Sequence, residues 1–181
     1  FSNQGSAGFV CQSTLRGHSA SVNCVDFSPD GLTIASGSAP VSGVDFHSVR
    51  VWDVKTGKQL SRSNVYSNVY SVAFSPDGTT LAAGCFGKIY FVDPTAGEIK
   101  SSLNVDSSVY RTAFSPDGTT LAAGCLGKIY FVDPTAGEIK SSLKVDSEVS
   151  SVAFSRHFGF LATLRADHGR SVSIFNVETG E

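Results

Sequence analysis

An all-β fold, made of four tandem copies of a four-stranded antiparallel unit, is what this sequence predicts, and three observations carry the prediction. The stretch FSPDGTTLAAGC occurs twice, at 74–85 and 114–125, inside a longer match of 74–103 with 114–143 that is broken only by Phe86 against Leu126. The Phe that opens FSPDG recurs at Phe27, Phe74 and Phe114, with a degenerate counterpart at Phe154 in FSRHFG, giving spacings of 47, 40 and 40 residues. Between these marks the segments are short, rich in Val, Ile, Phe, Tyr and Thr, and punctuated by Pro and Gly, with no sustained helical period.

A repeat of about 40 residues belongs to propeller blades or to helical arrays, and the strand chemistry removes the arrays. The second copy shows the unit clearly, with strands over 69–75, 80–84, 88–92 and 98–103. Its SPDG is a tight turn: Pro76 presets φ, Asp77 tolerates the third position and Gly78 supplies the positive φ that closes the hairpin. DPTAG, with Pro94 and Gly97, does the same between the third and fourth strands. The third strands VRVWD, IYFVD, IYFVD and VSIFN close at Asp53, Asp93, Asp133 and Asn176, which lie 26, 19, 19 and 22 residues after the Phe marks. The first and last copies therefore carry about seven and three extra residues between their second and third strands.

The chain reads as one domain over 1–181, with units at about 20–64, 67–104, 107–144 and 147–181. Residues 9–15 read as a strand with no partners before it, while the last copy reaches ETGE without a fourth strand. The N-terminal strand is thus expected to complete the last unit and hide the sheet edges. A chain of 181 residues can bury a sizeable core, and 41% hydrophobic with 17% charged residues is a globular composition. A net charge of −2 without a Lys/Arg run argues against nucleic-acid binding. No apolar run reaches the length of a membrane-spanning helix. Cys11, Cys24, Cys85 and Cys125 show no zinc-site spacing and read as reduced thiols rather than a disulfide framework. The expected location is the cytoplasm or nucleus. The first residue, Phe1, and the absence of Met suggest a processed chain, a fragment or an incomplete sequence.

GHSASVNCVDFSPDGLTIASGS, followed after an insertion by VRVWDVKTGKQL, resembles a repeat of the WD-repeat β-propeller family, and the resemblance extends over about 9–181. It implies a β-propeller of four-stranded antiparallel blades with four WD-like repeats. It also implies a hydrogen-bonded structural tetrad of His18, Ser36 and Trp52 with Asp45 as fourth member. The later copies lack the His and replace the Trp with Val92, Val132 or Phe175, so one tetrad is expected. Three arrangements fit four blades: a piece of a longer propeller, two copies forming an eight-bladed ring by strand exchange, or one small closed ring.

Copies two and three serve as an internal comparison for function. They differ at SNVYS, SSVYR and the later SEVSS, and at Phe86 against Leu126, all at one end of the blades. The insertion around 40–46 and the extra residues around 166–169 fall at the same end. This end is the expected partner-binding face, with Tyr70, Tyr110, Phe86, Leu126 and Phe46 as anchors and Arg111, Glu148, Arg165 and His47 setting polarity. Aromatic residues and Arg carry a large share of interface energy, whereas loops also drift without function. Tyr70 and Tyr110 could alternatively form a cage for a methylated lysine.

The function implied by the resemblance is a non-catalytic scaffold for a protein or peptide, with no cofactor, metal, nucleic acid or membrane partner. A propeller-based hydrolase or lyase would need convergent acids. Asp45, Asp106, Asp146, Glu148 and Asp167 are the available ones, and their expected exposure gives no reason for a shifted pKa. The third alternative is a self-assembly module that joins a second half-ring.

Overall fold

Thirteen strands follow one another without an intervening helix in the residues that the computed structural model describes, 11–39, 47–156, 159–165 and 172–177. Blade one is β1 (Val22–Phe27), β2 (Thr33–Ser38), β3 (His47–Asp53) and β4 (Gln59–Val65), hydrogen-bonded in that order. Blade two is β5 (Val69–Phe74), β6 (Leu81–Cys85), β7 (Lys88–Val92) and β8 (Ile99–Asn104), again a plain antiparallel meander. Every strand of blade two starts and ends within one residue of the sequence expectation.

Blades three and four share strands. β9 (Arg111–Phe114) pairs with β10 (Leu121–Asp133), β10 pairs with β11 (Glu138–Phe154), and β11 passes on to β12 (Phe160–Arg165) and β13 (Val172–Asn176). β11 crosses the boundary placed at about 144–147, because its first half is the outer strand of blade three and its second half the first strand of blade four.

The two turn motifs are satisfied within themselves. In SPDG the Ser75 hydroxyl donates to Asp77 at 2.5 Å, the Thr79 amide donates to the same carboxylate at 3.0 Å, and Gly78 takes φ of 73°. Ser28–Asp30 and Ser115–Asp117 repeat the arrangement at 2.5 and 2.6 Å. In DPTAG the Asp93 carboxylate accepts the amides of Thr95 and Ala96. These donors hold Asp30, Asp77, Asp93 and Asp117 below the usual carboxylate range.

Consecutive blades stack face to face, and three apolar clusters fill the three junctions. The same device recurs at each junction. A valine at the start of one blade's first strand (Val69, Val109 or Val149) is fully buried against a glycine in the second strand of the blade before it (Gly37, Gly84 or Gly124). A Cβ on these glycines would lie 2.4, 2.7 and 2.6 Å from a valine methyl. The glycines are there for space, since none of the three has a positive φ.

The strand expected over 9–15 is not formed in its described part. Residues 11–15 carry no strand, and Leu15 lies against Gly57 and the outer face of blade one. Among the described residues β13 borders β12 alone, and no apolar cluster joins blade four to blade one. Leu15 lines the same hollow as Trp52, and Gly17 closely approaches the Trp52 ring.

Gly84→Ala tests the seat. The added methyl also faces the Val109 carbonyl at 3.0 Å, so the cost should be that of overpacking, about 1–3 kcal/mol. Thermal unfolding should show a melting temperature lower by about 3–10 °C; an unchanged value would mean the junction is loosely packed.

Candidate functional site

The links between blades and the turns between second and third strands meet at one end of the molecule. The Ser67 hydroxyl donates to the Phe86 carbonyl and accepts its amide at 3.3 and 3.1 Å, and the Val105 amide donates to the Gly87 carbonyl at 3.0 Å. This loop end carries the residues in which the copies differ.

A β-bulge aims the central pair. The ladder shifts register between Val69 and Ser71, and likewise between Val22 and Cys24 and between Val149 and Ser151. The extra residue at such a shift leaves the ladder and its side chain is redirected. Tyr70 is that residue in blade two. Tyr110 occupies the matching place in blade three, its amide donating to Gly124. Their rings lie 5.5 Å apart at 50°, a tilted geometry favourable for aromatic pairs. Both are half-buried, and the Asn68 amide donates to the Tyr70 hydroxyl at 3.2 Å.

Around the pair stand exposed apolar side chains. Phe86, in the turn between β6 and β7, and Leu126, at the equivalent position within β10, both face solvent. Tyr66 is more exposed than either, at 79%, and sequence reasoning missed it; the available signal was its alignment with Asp106 and Asp146 in the next two copies. Arg111 is exposed and donates to the Tyr110 carbonyl at 2.7 Å. Glu148 is half-buried and pairs in register with Leu126. His47 opens β3 with its Nδ1 buried and without a hydrogen-bond partner among the described residues. Arg165 ends β12 opposite Val149 in the ladder. Phe46, Asp45 and Asp167 lie outside the described residues.

Asp106, a candidate acid, is engaged. Its carboxylate accepts from the Lys128 ammonium at 2.8 Å and from the Tyr130 hydroxyl, and these bonds hold it below the usual carboxylate range. A general acid needs the opposite shift. Among the described residues no group of three or more His, Cys, Asp or Glu is placed to hold a metal ion.

Two concavities lie at the opposite end, between the turn motifs of adjacent blades. One of about 630 Å³ is lined by Pro76, Asp77, Phe91, Phe114 and Pro134, and its counterpart between blades one and two measures about 500 Å³. Their linings come from the residues that the copies share, which is why a comparison between copies did not point there.

The outer face of blade one holds a separate polar cluster. The Trp52 indole donates to the Ser36 hydroxyl at 2.8 Å, and His18 Nε2 lies 2.6 Å from the same oxygen. The other ring nitrogen, Nδ1, lies 3.2 Å from the Ser48 hydroxyl, a contact that sequence reasoning missed. Burial, followed by the charges of Arg50 and Arg62, lowers the His18 pKa to about 4.

A family model described as "WD domain, G-beta repeat" matches this chain over 9–53, 57–89 and 97–133. Protein groucho of Drosophila melanogaster is 36% identical over 70 residues, covering 39% of this chain and 9% of that protein. Ribosome biogenesis protein ERB1 of Debaryomyces hansenii is 33% identical over 92 residues, covering 46% of this chain and 11% of that protein. The matched part is thus about a tenth of each relative's length.

The sign of the His18 shift sets a pH dependence. The unfolded state takes up a proton near pH 6.5 that the fold resists until about 4, so stability is complete above 6.5 and falls as pH drops through that window. Melting curves from pH 7 to 4.5 should show this decline, and His18→Gln should flatten it. Ser36→Ala removes the shared oxygen and should cost about 1–3 kcal/mol at pH 7; a loss below 0.5 kcal/mol, on the order of a neutral surface change, would show that the cluster does not hold the blade.

Proposed function

From the membership of this chain in the WD-repeat family, we propose that it is a non-catalytic scaffold whose loop end docks a protein or peptide. WD-repeat proteins serve generally as protein-interaction scaffolds. The observation that carries the reading for this chain is the half-buried Tyr70–Tyr110 pair, with Tyr70 at a bulge and exposed Tyr66, Phe86 and Leu126 at the same end. Large, stiff aromatic side chains give contact area at little entropic cost, and they form the usual anchors of protein interfaces. Arg111 and Glu148 at the rim would set which partner charges are accepted.

The acids favour binding over catalysis. Asp106 is neutralised by Lys128, and the turn aspartates are occupied by their own hydroxyl and amide donors. The four cysteines are free thiols, in keeping with a reducing compartment such as the cytoplasm or nucleus.

A pull-down with the immobilised chain tests the face. Tyr70→Ala/Tyr110→Ala and Tyr66→Ser/Phe86→Ser should each reduce recovery of the partner at least tenfold, a loss on the scale of interface anchors. Thr79→Ala, at the turn end, should leave it unchanged. Equal recovery with both loop-end variants, or loss with Thr79→Ala alone, would move the interface to the turn-end clefts.

A further inference from the structure

Blades two and three are so alike that each serves as a control for the other, and one exchange between them leaves a cation without its carboxylate. In blade three the Lys128 ammonium lies over the Tyr130 ring, 5.1 Å from its centroid, and pairs with the Asp106 carboxylate at 2.8 Å. The Tyr130 hydroxyl donates to the other oxygen of that carboxylate. One ammonium and one phenol thus hold one carboxylate, which comes from the link that precedes the blade.

Blade two repeats two of these three groups. The Lys88 ammonium lies over the Tyr90 ring, 5.6 Å from its centroid, and Lys88 pairs with Asn104 in the ladder where Lys128 pairs with Lys144. The third group is exchanged, because Tyr66 aligns with Asp106. The Tyr66 backbone comes within hydrogen-bonding reach of the Tyr90 hydroxyl, so the link passes the same place, but its side chain is exposed and uncharged. Among the described residues Lys88 makes no ion pair. Ser67 bonds the amide and the carbonyl of exposed Phe86, which ties this link to the turn before Lys88.

We propose that Lys88 and Tyr90 take the carboxylate of an Asp or Glu side chain from the docked peptide, in the place that Asp106 fills in blade three. The proposal rests on loop-end docking and names the chemistry of the partner: a segment in which an acidic residue adjoins a large apolar one. A single ammonium and a single phenol match one negative charge, and Asp106 shows that a side chain of a continuing backbone fits them. An ion pair in open water contributes little. Here the ammonium is half-buried, and an apolar neighbour lying on Tyr66 and Phe86 would displace the water that screens it. Tyr66 therefore acts twice: standing in place of Asp it frees the ammonium, and it adds an aromatic ring to the same surface.

A displayed library of random peptides, selected on the immobilised chain, tests the chemistry and the place. Binders to the unaltered chain should be enriched about tenfold in Asp or Glu next to an aromatic or large aliphatic residue, the factor that one charge-assisted hydrogen bond supplies. Lys88→Glu should reverse the preference and select Lys or Arg instead. Tyr66→Asp provides an internal carboxylate, as Asp106 does, and should abolish the acidic preference whether or not Lys88→Glu folds; Tyr66→Asn should weaken binding and keep it. Synthetic copies of the selected peptides should bind equally with blocked and free ends, and loss on blocking the C-terminus would overturn recognition of a side chain. Binders that require Tyr70 and Tyr110 yet show no acidic preference, or keep it with Lys88→Glu, would overturn this subsite and leave loop-end docking standing. A library that yields no binder, or binders indifferent to Tyr70→Ala/Tyr110→Ala and Tyr66→Ser/Phe86→Ser, would remove loop-end docking and the subsite with it.

Discussion

The seating of a valine on a glycine between neighbouring blades is the contact on which the rest of this molecule depends. A single repeat cannot bury its hydrophobic face alone, so each blade is stabilised by its neighbours. Apolar cover between sheets is permissive about position; a methyl group held where no Cβ can exist is not. The seat sets the distance and the register between blades, and the bulge follows it directly in sequence. Val69 is buried, Tyr70 is expelled from the ladder, and Ser71 returns to bond Thr112 of the next blade at 3.0 Å. The half-buried ring of Tyr70 is thus held by a fully buried neighbour, Val69.

The two ends of the blades divide the chemistry. At the turn end the polar groups are consumed locally: each turn aspartate accepts two or more bonds from its own motif, and Lys100 and Lys140 reach back to the Thr79 and Thr119 carbonyls. Such groups have little left to offer a ligand, although clefts of about 500 and 630 Å³ lie between them. At the loop end the polar network is sparse and the apolar side chains face water. A surface of that kind gains more by covering aromatic rings than by performing proton transfer, which agrees with the lowered pKa of Asp106.

Much of this was legible from spacing and turn chemistry. The repeat located the strands of blade two to within one residue, because Pro, Asp and Gly at fixed offsets leave the chain few turns to adopt. Differences between copies led to Tyr70, Tyr110, Phe86 and Leu126, since a duplicated core cannot vary without strain while loops can. Tyr66 escaped because the comparison began at Ser67, one residue after it, although the aligned positions hold Asp106 and Asp146. The place of Ser48 beside His18 escaped because an insertion of about seven residues separated the motif from its counterpart. The strand expected over 9–15 followed from counting strands, whereas the described residues 11–15 carry none.

By itself the sequence determined that this chain is a tandem of antiparallel meanders of the WD-repeat kind, with its turns, its strand faces and its variable end. Those properties are local, set by residues within a few positions of each other and by alternation along a strand. Only the tertiary structure decided that Tyr70 and Tyr110 come together and that Gly37, Gly84 and Gly124 are seats rather than hinges. Each of these is a relation between residues about 25 or more positions apart, which exists only once two sheets have approached closely enough for a single methyl group to matter.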